Sequence, residues 1–285
     1  MMQRNSTHRR LSAFRRFTAG RIILYLVLIT IALAVIGPLL VVASSSFKRE
    51  DEIFSYPMTI IPRLPVLSNF EALEAHFPLY IWNSIKVTTS IVVLQFITAT
   101  TGAYAFSKLI WRFRDTLFLL YIASIMVPIQ SIIIPQFIIV RNLGLYNTHA
   151  AVILVSAFTA FGVFLCRQYF LTIPDSLLEA ARIDGASEYR IFLRVVLPLS
   201  APVIVTVIIF SFRYFWNDFF TPLIYLTSQT LKTLPLGMAD FVDQYNIAYG
   251  PQMAAALISI IPVLVVFLIG QRYFVEGVVA TGIKG

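Results

Sequence analysis

The sequence has little charge for its length. Only 13% of its 285 residues are Asp, Glu, Lys or Arg, whereas 58% are hydrophobic and the mean hydropathy is +0.81. Soluble domains carry roughly 25% charged residues, so a soluble protein of one or two domains is excluded. Most of the chain lies in apolar runs of about 20 residues, the length of a helix that crosses a bilayer. The sequence therefore predicts an all-α, polytopic membrane protein.

The chain also lacks the residue patterns of common catalytic and metal sites. Its one cysteine, Cys166, lies in an apolar run, which excludes an intrachain disulfide and indicates a small buried hydrophobe. Its three histidines, His8, His76 and His149, have no metal-ligand spacing. No phosphate-binding loop of the form GxxxxGKS or GxxxxGKT is present, so energy from ATP would have to come from another subunit. We expect no metal, no bound cofactor and no enzymatic activity in this chain.

Charges and turn residues divide the apolar sequence into six predicted spans. The predicted spans are 22–43, 85–106, 117–140, 150–166, 201–226 and 253–274. Pro128 and Pro135 interrupt the third span and predict a kink or a local break there. The chain then divides into a basic N-terminal tail over 1–21, a transmembrane domain over 22–275 and a C-terminal tail over 276–285.

Lys and Arg are distributed unequally between the two sides of the predicted membrane. Fifteen lie in the two tails and in the segments on the same side as these tails, five lie on the opposite side, and Lys86 and Arg213 lie in or at spans. Because basic residues are enriched in cytoplasmic loops, both termini are predicted to be cytoplasmic. The same asymmetry accounts for the net charge of +8 without a nucleic-acid partner.

One polar segment, 174–198, interrupts the apolar pattern on the predicted cytoplasmic side. Ser176 and Glu179 have the spacing of a capping box, which predicts that a helix begins at Ser176. Asp184-Gly185 can end this helix. Ser187 can begin a second helix, which Pro198 is expected to end. The segment is thus predicted to form a helix, a glycine turn and a second helix.

The residues of the 174–198 segment leave two interpretations open. It could be an amphipathic loop that rests on lipid headgroups, but such helices usually carry bulky anchors and a lysine-rich face. Small residues favour close approach by another protein, and exposed apolar side chains could fill a pocket in it. The small residues are Ala180, Ala181 and Ala186, and the apolar ones are Leu177, Leu178 and Ile183.

The spacing within this segment resembles a known family. Glu179-Ala180-Ala181 is followed by three residues, Gly185, nine residues and Val195-x-Leu197-Pro198, which is similar to the EAA loop of ABC importer permeases, with valine where isoleucine is usual. The chain is most similar to the MalG-like permeases of maltose-type importers. Other matching segments are Asn83-Ser84, Ala103-Tyr104-Ala105-Phe106, Arg182 to Ala186, Trp216-Asn217-Asp218, Leu234 to Gly237, Gln271 to Phe274 and Gly282 to Gly285.

This resemblance implies a type I ABC importer permease fold in a bacterial inner membrane, surrounded by lipid. The partners it implies are a second, homologous permease, two ATPase subunits that use ATP and Mg, and an extracytoplasmic binding protein that delivers a saccharide. Carried over to this sequence, the residues that couple to an ATPase are Glu179, Ala180, Ala181, Asp184, Gly185, Leu197 and Pro198. The C-terminal residues implied to reach between the ATPases are Thr281, Gly282 and Lys284.

Span five carries charge that the family pattern does not explain. Arg213, Trp216, Asn217 and Asp218 are candidate residues of a translocation path. Because an ionisable residue inside a membrane is costly, Arg213 is expected to pair with Asp218 or a neighbouring subunit, or to favour an anionic saccharide such as a uronate oligomer or a sugar phosphate.

Two other classes of transporter remain as alternatives. An ABC permease for an osmolyte, an amino acid or phosphate would share the EAA loop, but it is expected to lack Trp216-Asn217-Asp218 and Gln271-Arg272-Tyr273. A secondary transporter that works alone would usually show inverted repeats, and the sequence shows no such repeat.

Overall fold

The computed structural model describes residues 19–241 and 248–282, with side chains described over 20–241 and 248–273. Regular structure in these residues is helical throughout, which confirms the all-α prediction. The first half contains α1 Ala19–Ser45, α2 Glu50–Ile53, α3 Ser68–Glu71, α4 Phe77–Ser107, α5 Arg114–Ala123, α6 Ile129–Asn142, α7 His149–Val155 and α8 Ala160–Phe170. The second half contains α9 Asp175–Ile183, α10 Glu188–Ile191, α11 Leu197–Leu199, α12 Ala201–Trp216, α13 Phe220–Tyr225, α14 Leu234–Met238 and α15 Tyr249–Gly282. Irregular helical turns lie at Ser124–Met126, Gln229–Leu231 and Ala239–Phe241, and a π-helix lies at Phe192–Val196.

Three helices in the described ranges are each long and apolar enough to cross a membrane. They are Gly20–Ser45, Phe77–Ser107 and Tyr249–Tyr273. Three bent helix pairs meet the same criterion when their halves are taken together, namely Arg114–Met126 with Ile129–Asn142, His149–Val155 with Ala160–Phe170, and Glu188–Leu199 with Ala201–Trp216. The number reaches the predicted six if each bent pair forms one span.

The third predicted span is broken at one of its two prolines. The chain bends by 100° between Arg114–Met126 and Ile129–Asn142, and Pro128 is the N-cap of the second helix. Proline fixes its own φ and disfavours helix at the residue before it, which explains the break. Pro135 lies inside α6, where the helix continues. The predicted break is therefore confirmed at Pro128.

The fifth predicted span, 201–226, is wrong in its second half. Helix α12 ends at Trp216, and α13 begins as a separate helix at Phe220. Oδ1 of Asp218 accepts hydrogen bonds from the backbone N–H groups of Phe220 at 3.0 Å and Thr221 at 3.2 Å. Asp218, the residue before the N-cap Phe219, thus supplies an acceptor for two backbone N–H groups at the start of α13 that have no partner within the helix.

The 174–198 segment is packed into the helical body. One hydrophobic cluster joins this segment to α4, α8 and α12, and it contains Tyr104, Cys166, Phe170, Leu178, Ile191, Phe192, Val196 and Val207. Cys166 is fully buried and unpaired, as the sequence predicted. A second cluster lies nearer the other ends of the helices and contains Val87, Ile91, Val140, Ala151, Val152, Tyr225, Leu226 and Leu236.

The two ends of the chain are only partly described. Helix α15 continues to Gly282, beyond the apolar stretch Tyr249–Tyr273 that could cross a membrane. The boundary between span and tail at 276 stays a prediction. Thr281 and Gly282 lie in its last turn, and their side chains, like the whole of Lys284, lie outside the described residues. The basic tail before residue 19 lies outside them as well.

Candidate functional site

The 174–198 segment begins with a helix whose start differs from the predicted capping box. Helix α9 begins at Asp175, its N-cap is Pro174, and no side chain caps it by a hydrogen bond. Ser176 is therefore already inside the first turn and cannot act as the N-cap for Glu179. Pro174 explains the shift, because its fixed φ of −60° and its ψ of 132° place the chain at the entrance to a helix one residue early.

The turn after α9 is a Schellman motif centred on Gly185. The N–H of Ala186 bonds to the carbonyl of Ala181 at 3.0 Å, and the N–H of Gly185 bonds to the carbonyl of Arg182 at 3.0 Å. Gly185 has a φ of +77°, the left-handed conformation that ends a helix, so the turn predicted at Asp184-Gly185 is confirmed. A Cβ at this position would meet nothing within 4 Å, so the backbone conformation, not space inside this chain, requires glycine.

The second helical run passes the proline that was expected to stop it. Helix α10 begins after Ser187, as predicted, and the run then widens into the π-helix Phe192–Val196 before α11. Pro198 lies in the first turn of α11, and the run ends only at Leu199. A proline ring clashes with the carbonyl four residues earlier in an α-helix. The wider π turn lies directly before the proline and accommodates it, so the predicted stop is wrong.

A buried lysine ties the start of α9 to the end of α4. Nζ of Lys108 donates to the carbonyl of Ile173 at 2.7 Å and to Oδ1 of Asp175 at 2.6 Å. The Lys108 side chain is 3% exposed, whereas that of Asp175 is 75% exposed. The hydrogen bond from Lys108 and its positive charge lower the pKa of the Asp175 carboxyl. Loss of Asp175 would leave the buried ammonium with one protein acceptor fewer, which is costly.

A second bond set ties α4 to both helices of the segment. The Tyr104 hydroxyl donates to Oε2 of Glu188 at 2.5 Å, and Nε of Arg182 donates to Oε1 of Glu188 at 2.7 Å. The Arg182 guanidinium, and then the Tyr104 hydroxyl, hold the pKa of the Glu188 carboxyl below its usual value. Arg182 lies in the last turn of α9 and Glu188 in the first turn of α10. The turn at Gly185 is therefore braced by an ion pair and anchored to α4.

The outward face of α9 combines apolar, small and acidic residues. Ile183 is 86% exposed and Leu177 is 46% exposed, and Ala180 lies between them on the same exposed face. Glu179 is exposed and forms no hydrogen bond or ion pair with any residue of the described ranges. These residues are available to a partner.

Three residues predicted to face a partner face the chain's own core instead. Leu178 is only 1% exposed and belongs to the cluster that joins α9 to α4, and Ala181 and Ala186 pack against the same cluster. The prediction is wrong for Leu178, because the helix must bury one apolar residue per turn to stay attached to the body. Of the other predicted coupling residues, Asp184 is the exposed C-cap of α9, Leu197 is half-buried and Pro198 is exposed.

The span-five residues divide into structural residues and one exposed cation. Trp216 is 1% exposed, and its Nε1 donates to the carbonyl of Ser259 at 2.9 Å. The Asn217 amide donates to the carbonyl of Arg213 at 2.8 Å, and Oδ2 of Asp218 is buried without a partner in the described residues. Arg213 is exposed and makes no ion pair with Asp218, so that predicted pairing is wrong. A pairing with a neighbouring subunit stays a prediction.

Arg213 lies on the wall of a cleft between α4, α8 and α12. The cleft has a volume of about 390 Å³. At its base, Nε2 of Gln95 donates to the carbonyl of Ser156 and Oγ of Ser211 donates to Oε1 of Gln95, both at 2.7 Å. Aromatic side chains line its opening, among them Phe158, Phe161 and Tyr214. A polar base, aromatic walls and one cation suit a polar ligand that carries negative charge.

Sequence reasoning missed the residues that hold the site together. In the sequence, Lys108 is one of the fifteen basic residues on the side of the tails, and Tyr104 is part of the matching segment Ala103-Tyr104-Ala105-Phe106. Neither the hydropathy nor the charge pattern separates a buried lysine from a solvated one. Gln95 gave a weak signal, since it is an amide in the middle of an apolar span, where polar side chains are costly unless they are bonded.

Comparisons with known proteins agree with this architecture. The family described as "Binding-protein-dependent transport system inner membrane component" matches residues 97–279. The arabinooligosaccharides transport system permease protein AraQ of Halalkalibacterium halodurans is 35% identical over 260 residues, which cover 90% of this chain and 93% of that protein. The sn-glycerol-3-phosphate transport system permease protein UgpE of Pectobacterium atrosepticum is 32% identical over 265 residues, which cover 90% of this chain and 94% of that protein.

A solved structure shares the fold over nearly the whole chain. It is a chain of a bacterial ABC transporter involved in the import of the acidic polysaccharide alginate. The TM-score is 0.80 at 24% identity, and the match covers 96% of this chain and 100% of that chain. The likeness establishes the permease fold.

Proposed function

The chain belongs to the family of binding-protein-dependent transport system inner membrane components, and on that premise we propose that it is the permease subunit of an ATP-driven importer for a saccharide. Membership makes it a multi-pass membrane transport component and not an enzyme. The saccharide class is supported by the similarity to AraQ, which is named for arabinooligosaccharides. The similarity to UgpE, named for a polyol phosphate, keeps a non-sugar importer as the alternative.

The observation that carries the proposal is the anchored α9, which presents an unpartnered face. We propose that this face docks into a cleft of an ATPase subunit, with Glu179 in polar contact and Leu177, Ala180 and Ile183 in apolar contact. Full burial of one large aliphatic side chain contributes about 1.5–3 kcal/mol, so Ile183 and Leu177 can supply much of the affinity. Asp184 and Gly185 form the turn at the edge of the contact, and Ala181 and Leu197, which pack against the first hydrophobic cluster, support it from behind. Pro198 is exposed at the far end of the segment.

This proposed docking implies an orientation of the chain in the membrane and a set of partner subunits. The 174–198 segment and both termini lie in the cytoplasm, in line with the excess of Lys and Arg on that side. Two ATPase subunits bind ATP and Mg, a second permease completes the pathway, and a binding protein docks on the opposite face. Thr281, Gly282 and Lys284 extend from α15 toward the ATPases.

Transport in such a complex depends on rigid-body motion. As the ATPase subunits close on ATP, each docked helix is displaced, and the helices anchored to it move with it. The bonds of Lys108 and Tyr104 prevent α9 from moving independently of α4, because separation would leave a buried ammonium and a buried hydroxyl unpaired. The motion of the ATPase subunits as they close on ATP is thereby transmitted to the membrane helices.

Arg213 is proposed to select the charge of the cargo. The cleft beside it offers amide and hydroxyl groups for sugar hydroxyls, aromatic faces for sugar rings and an exposed guanidinium for a carboxylate or phosphate. An uncompensated cation in a membrane domain is costly unless it meets an anion during function. We therefore propose an anionic saccharide, such as a uronate oligomer or a sugar phosphate, as the preferred substrate.

The test of the cargo proposal compares neutral and anionic saccharides in proteoliposomes that contain the whole complex. Arg213→Gln removes the charge and keeps an amide, so uptake of the anionic sugar is expected to fall roughly tenfold relative to the neutral one, the factor for loss of one charged hydrogen bond. Arg63→Gln, at an exposed arginine in another part of the chain, is the matched control. An unchanged ratio of anionic to neutral uptake in Arg213→Gln would refute the proposal.

The test of the importer proposal is co-purification followed by transport. A tagged form of this chain is expected to retain a second permease and an ATPase when it is extracted in mild detergent. The reconstituted complex is expected to take up saccharide only with ATP and the binding protein. Uptake by this chain alone, driven by an ion gradient, would contradict the proposal.

A further inference from the structure

Helix α4 is a long, uninterrupted helix at the centre of the described fold. It runs without a break over 31 residues, and its only proline, Pro78, lies in its first turn. At about 1.5 Å per residue the helix spans roughly 45 Å, more than the hydrocarbon thickness of a bilayer. It is fully buried at Ile91, Ala99 and Ala103, and both α8 and α12 pack against it. Helix α4 therefore forms the central core of the described fold.

One end of α4 holds the 174–198 segment at two places. Lys108, directly after the last helical residue, bonds Ile173 and Asp175 at the start of α9. Tyr104, one turn earlier, bonds Glu188 at the start of α10. Both of the segment's helices are thus attached to α4 near their N-termini, and neither can shift without breaking a bond to a buried group.

The other end of α4 holds the loop formed by residues 229–241 in a similar way. Nδ2 of Asn83 donates to the carbonyls of Thr230 at 2.9 Å and Lys232 at 3.0 Å, and Oγ of Ser84 accepts from the N–H of Leu234 at 2.7 Å. Asn83 and Ser84 are both buried. Two backbone carbonyls and one backbone N–H of the loop therefore depend on α4 for their hydrogen bonds.

Close packing reinforces this second attachment. Gly237 lies so close to Tyr80 of α4 that an added Cβ would be 2.2 Å from Cδ2 of the ring. The Tyr80 hydroxyl donates to Oδ2 of Asp240 at 3.4 Å and accepts a short hydrogen bond from Gln229. The 229–241 loop therefore contacts α4 through backbone, side-chain and van der Waals interactions.

We propose that α4 is a rigid link that makes the 229–241 loop and the 174–198 segment move as one unit, with Asn83 and Lys108 as the positioning residues at its two ends. Asn83 and Lys108 are separated by 25 residues, or roughly 38 Å along the helix axis. The inference rests on the proposed function, since it assumes that the segment docks an ATPase. If the 174–198 segment docks an ATPase, the 229–241 loop at the opposite end of α4 lies on the binding-protein side. A displacement of the loop when the binding protein docks is then transmitted through α4 to the ATPase.

The test is a double-mutant cycle across the two ends of the link. Lys108→Met and Asn83→Leu each remove the polar group and keep the approximate volume. The measurement is the ATPase rate of the reconstituted complex with the binding protein, purified with its retained ligand, divided by the rate without it. Each single variant is expected to lower this ratio roughly tenfold, as for loss of one strong hydrogen bond. Lys86→Met, at an exposed lysine of the same helix, is the control and is expected to keep the wild-type ratio.

The stimulation ratio of the double variant distinguishes a single link through α4 from two independent local defects. Two sites this far apart that share no partner normally have additive free-energy effects, so their fold losses would multiply. A single link predicts instead that the double variant is no worse than the worse single variant. Multiplied losses, or wild-type ratios in both single variants, would overturn the proposal. If these variants do not assemble, Asp175→Ala and Ser84→Ala remove one bond from each end and form the same cycle.

The two proposals fail in different ways. If the chain is not an ATPase-coupled importer, no complex with ATP hydrolysis forms in the wild type. If only the link is wrong, the wild-type complex responds to the binding protein and the variant cycle is multiplicative.

Discussion

At the scale of single residues, the conformation of Gly185 is the most constrained feature of the 174–198 segment. Its φ of +77° falls in the region where an L side chain costs about 1–2 kcal/mol. The open space around it shows that a small side chain fits sterically. The cost of substitution thus depends on the backbone preference of the new residue, and Asn, which tolerates this conformation, is the informative replacement.

We predict that Gly185→Val uncouples the complex and that Gly185→Asn largely preserves coupling. A β-branched residue disfavours positive φ, so it would unfold the Schellman turn and displace α10 from α9. The measurement is the yield of ATPase subunit that co-purifies with each variant, with Gly37→Val in α1 as a control for a β-branched substitution in an exposed helix. Equal yields for the Val and Asn variants would show that the turn conformation does not matter for docking.

The carboxylates of Asp175 and Glu188 make the attachment of the segment dependent on pH. The folded-state pKa of each carboxyl lies below its ordinary value, because Lys108 bonds Asp175 and because Arg182 and Tyr104 bond Glu188. The resulting stabilisation is therefore complete above the ordinary carboxyl pKa and is lost as the pH falls through the lower folded pKa. We expect the protection factors of the α9 and α10 amides, which are corrected for the intrinsic exchange rate at each pH, to be independent of this pair near neutral pH. They are expected to fall once the pH drops below the ordinary carboxyl pKa range. Glu188→Gln should show the lowered protection already at pH 7. A variant that exchanges like wild type at pH 7 would refute the anchoring role of Glu188.

At the scale of elements, the anchored helix pair α9–α10 depends on α4 for its position. We predict that Tyr104→Phe raises the hydrogen-exchange rate of α9 and α10 by roughly tenfold or more, since a hydrogen bond to a charged group contributes about 1.5–3 kcal/mol. Tyr121→Phe in α5 is the matched control, because no hydrogen bond of its hydroxyl is found in the described residues. Exchange that is unchanged in Tyr104→Phe, or equally raised in both variants, would contradict the dependence.

The sequence was sufficient to predict that most of the helices exist, but it was not sufficient to predict where they begin and end. Hydropathy located the apolar helices because desolvation of about 20 residues is a strong signal. It failed at 201–226, where α12 ends at Trp216 and the Asp218 carboxylate accepts from the backbone at the start of a separate helix, α13. It failed again at Pro198, where a π turn makes room for the ring. Local propensity does not encode such tertiary adjustments.

Sequence spacing identified the segment that we propose to dock, but it did not identify the residues that anchor this segment. The spacing from Glu179 to Pro198 resembles an EAA loop and motivates the docking proposal, and Asp184-Gly185 predicted the turn that the structure shows. The buried contacts of Lys108 and Asn83 depend on residues far away in the sequence, and no periodic pattern brings these together. Leu178 was assigned to the wrong face because a nine-residue helix with three apolar side chains has no unique inward face until the neighbouring helices are known.

At the scale of the whole molecule, the chain presents two surfaces that a single subunit cannot cover. Helix α1 packs along α15 and exposes nearly all of its apolar side chains, as expected for contact with lipid or a second permease. The face of α9 is polar at its rim and apolar at Leu177 and Ile183, as expected for a soluble partner. The difference in chemistry separates the membrane contacts of the subunit from its proposed ATPase contact.

Docking of α9 to an ATPase subunit is the central claim, and site-specific crosslinking in the assembled complex tests it most directly. Cys166 is fully buried, so an introduced cysteine is the reactive thiol in the described residues. Ile183→Cys, treated with a short bifunctional thiol and amine reagent, is expected to crosslink to the ATPase, and Leu24→Cys on the exposed face of α1 is expected not to do so. Absence of the crosslink at position 183, or equal crosslinking at both positions, would contradict the account.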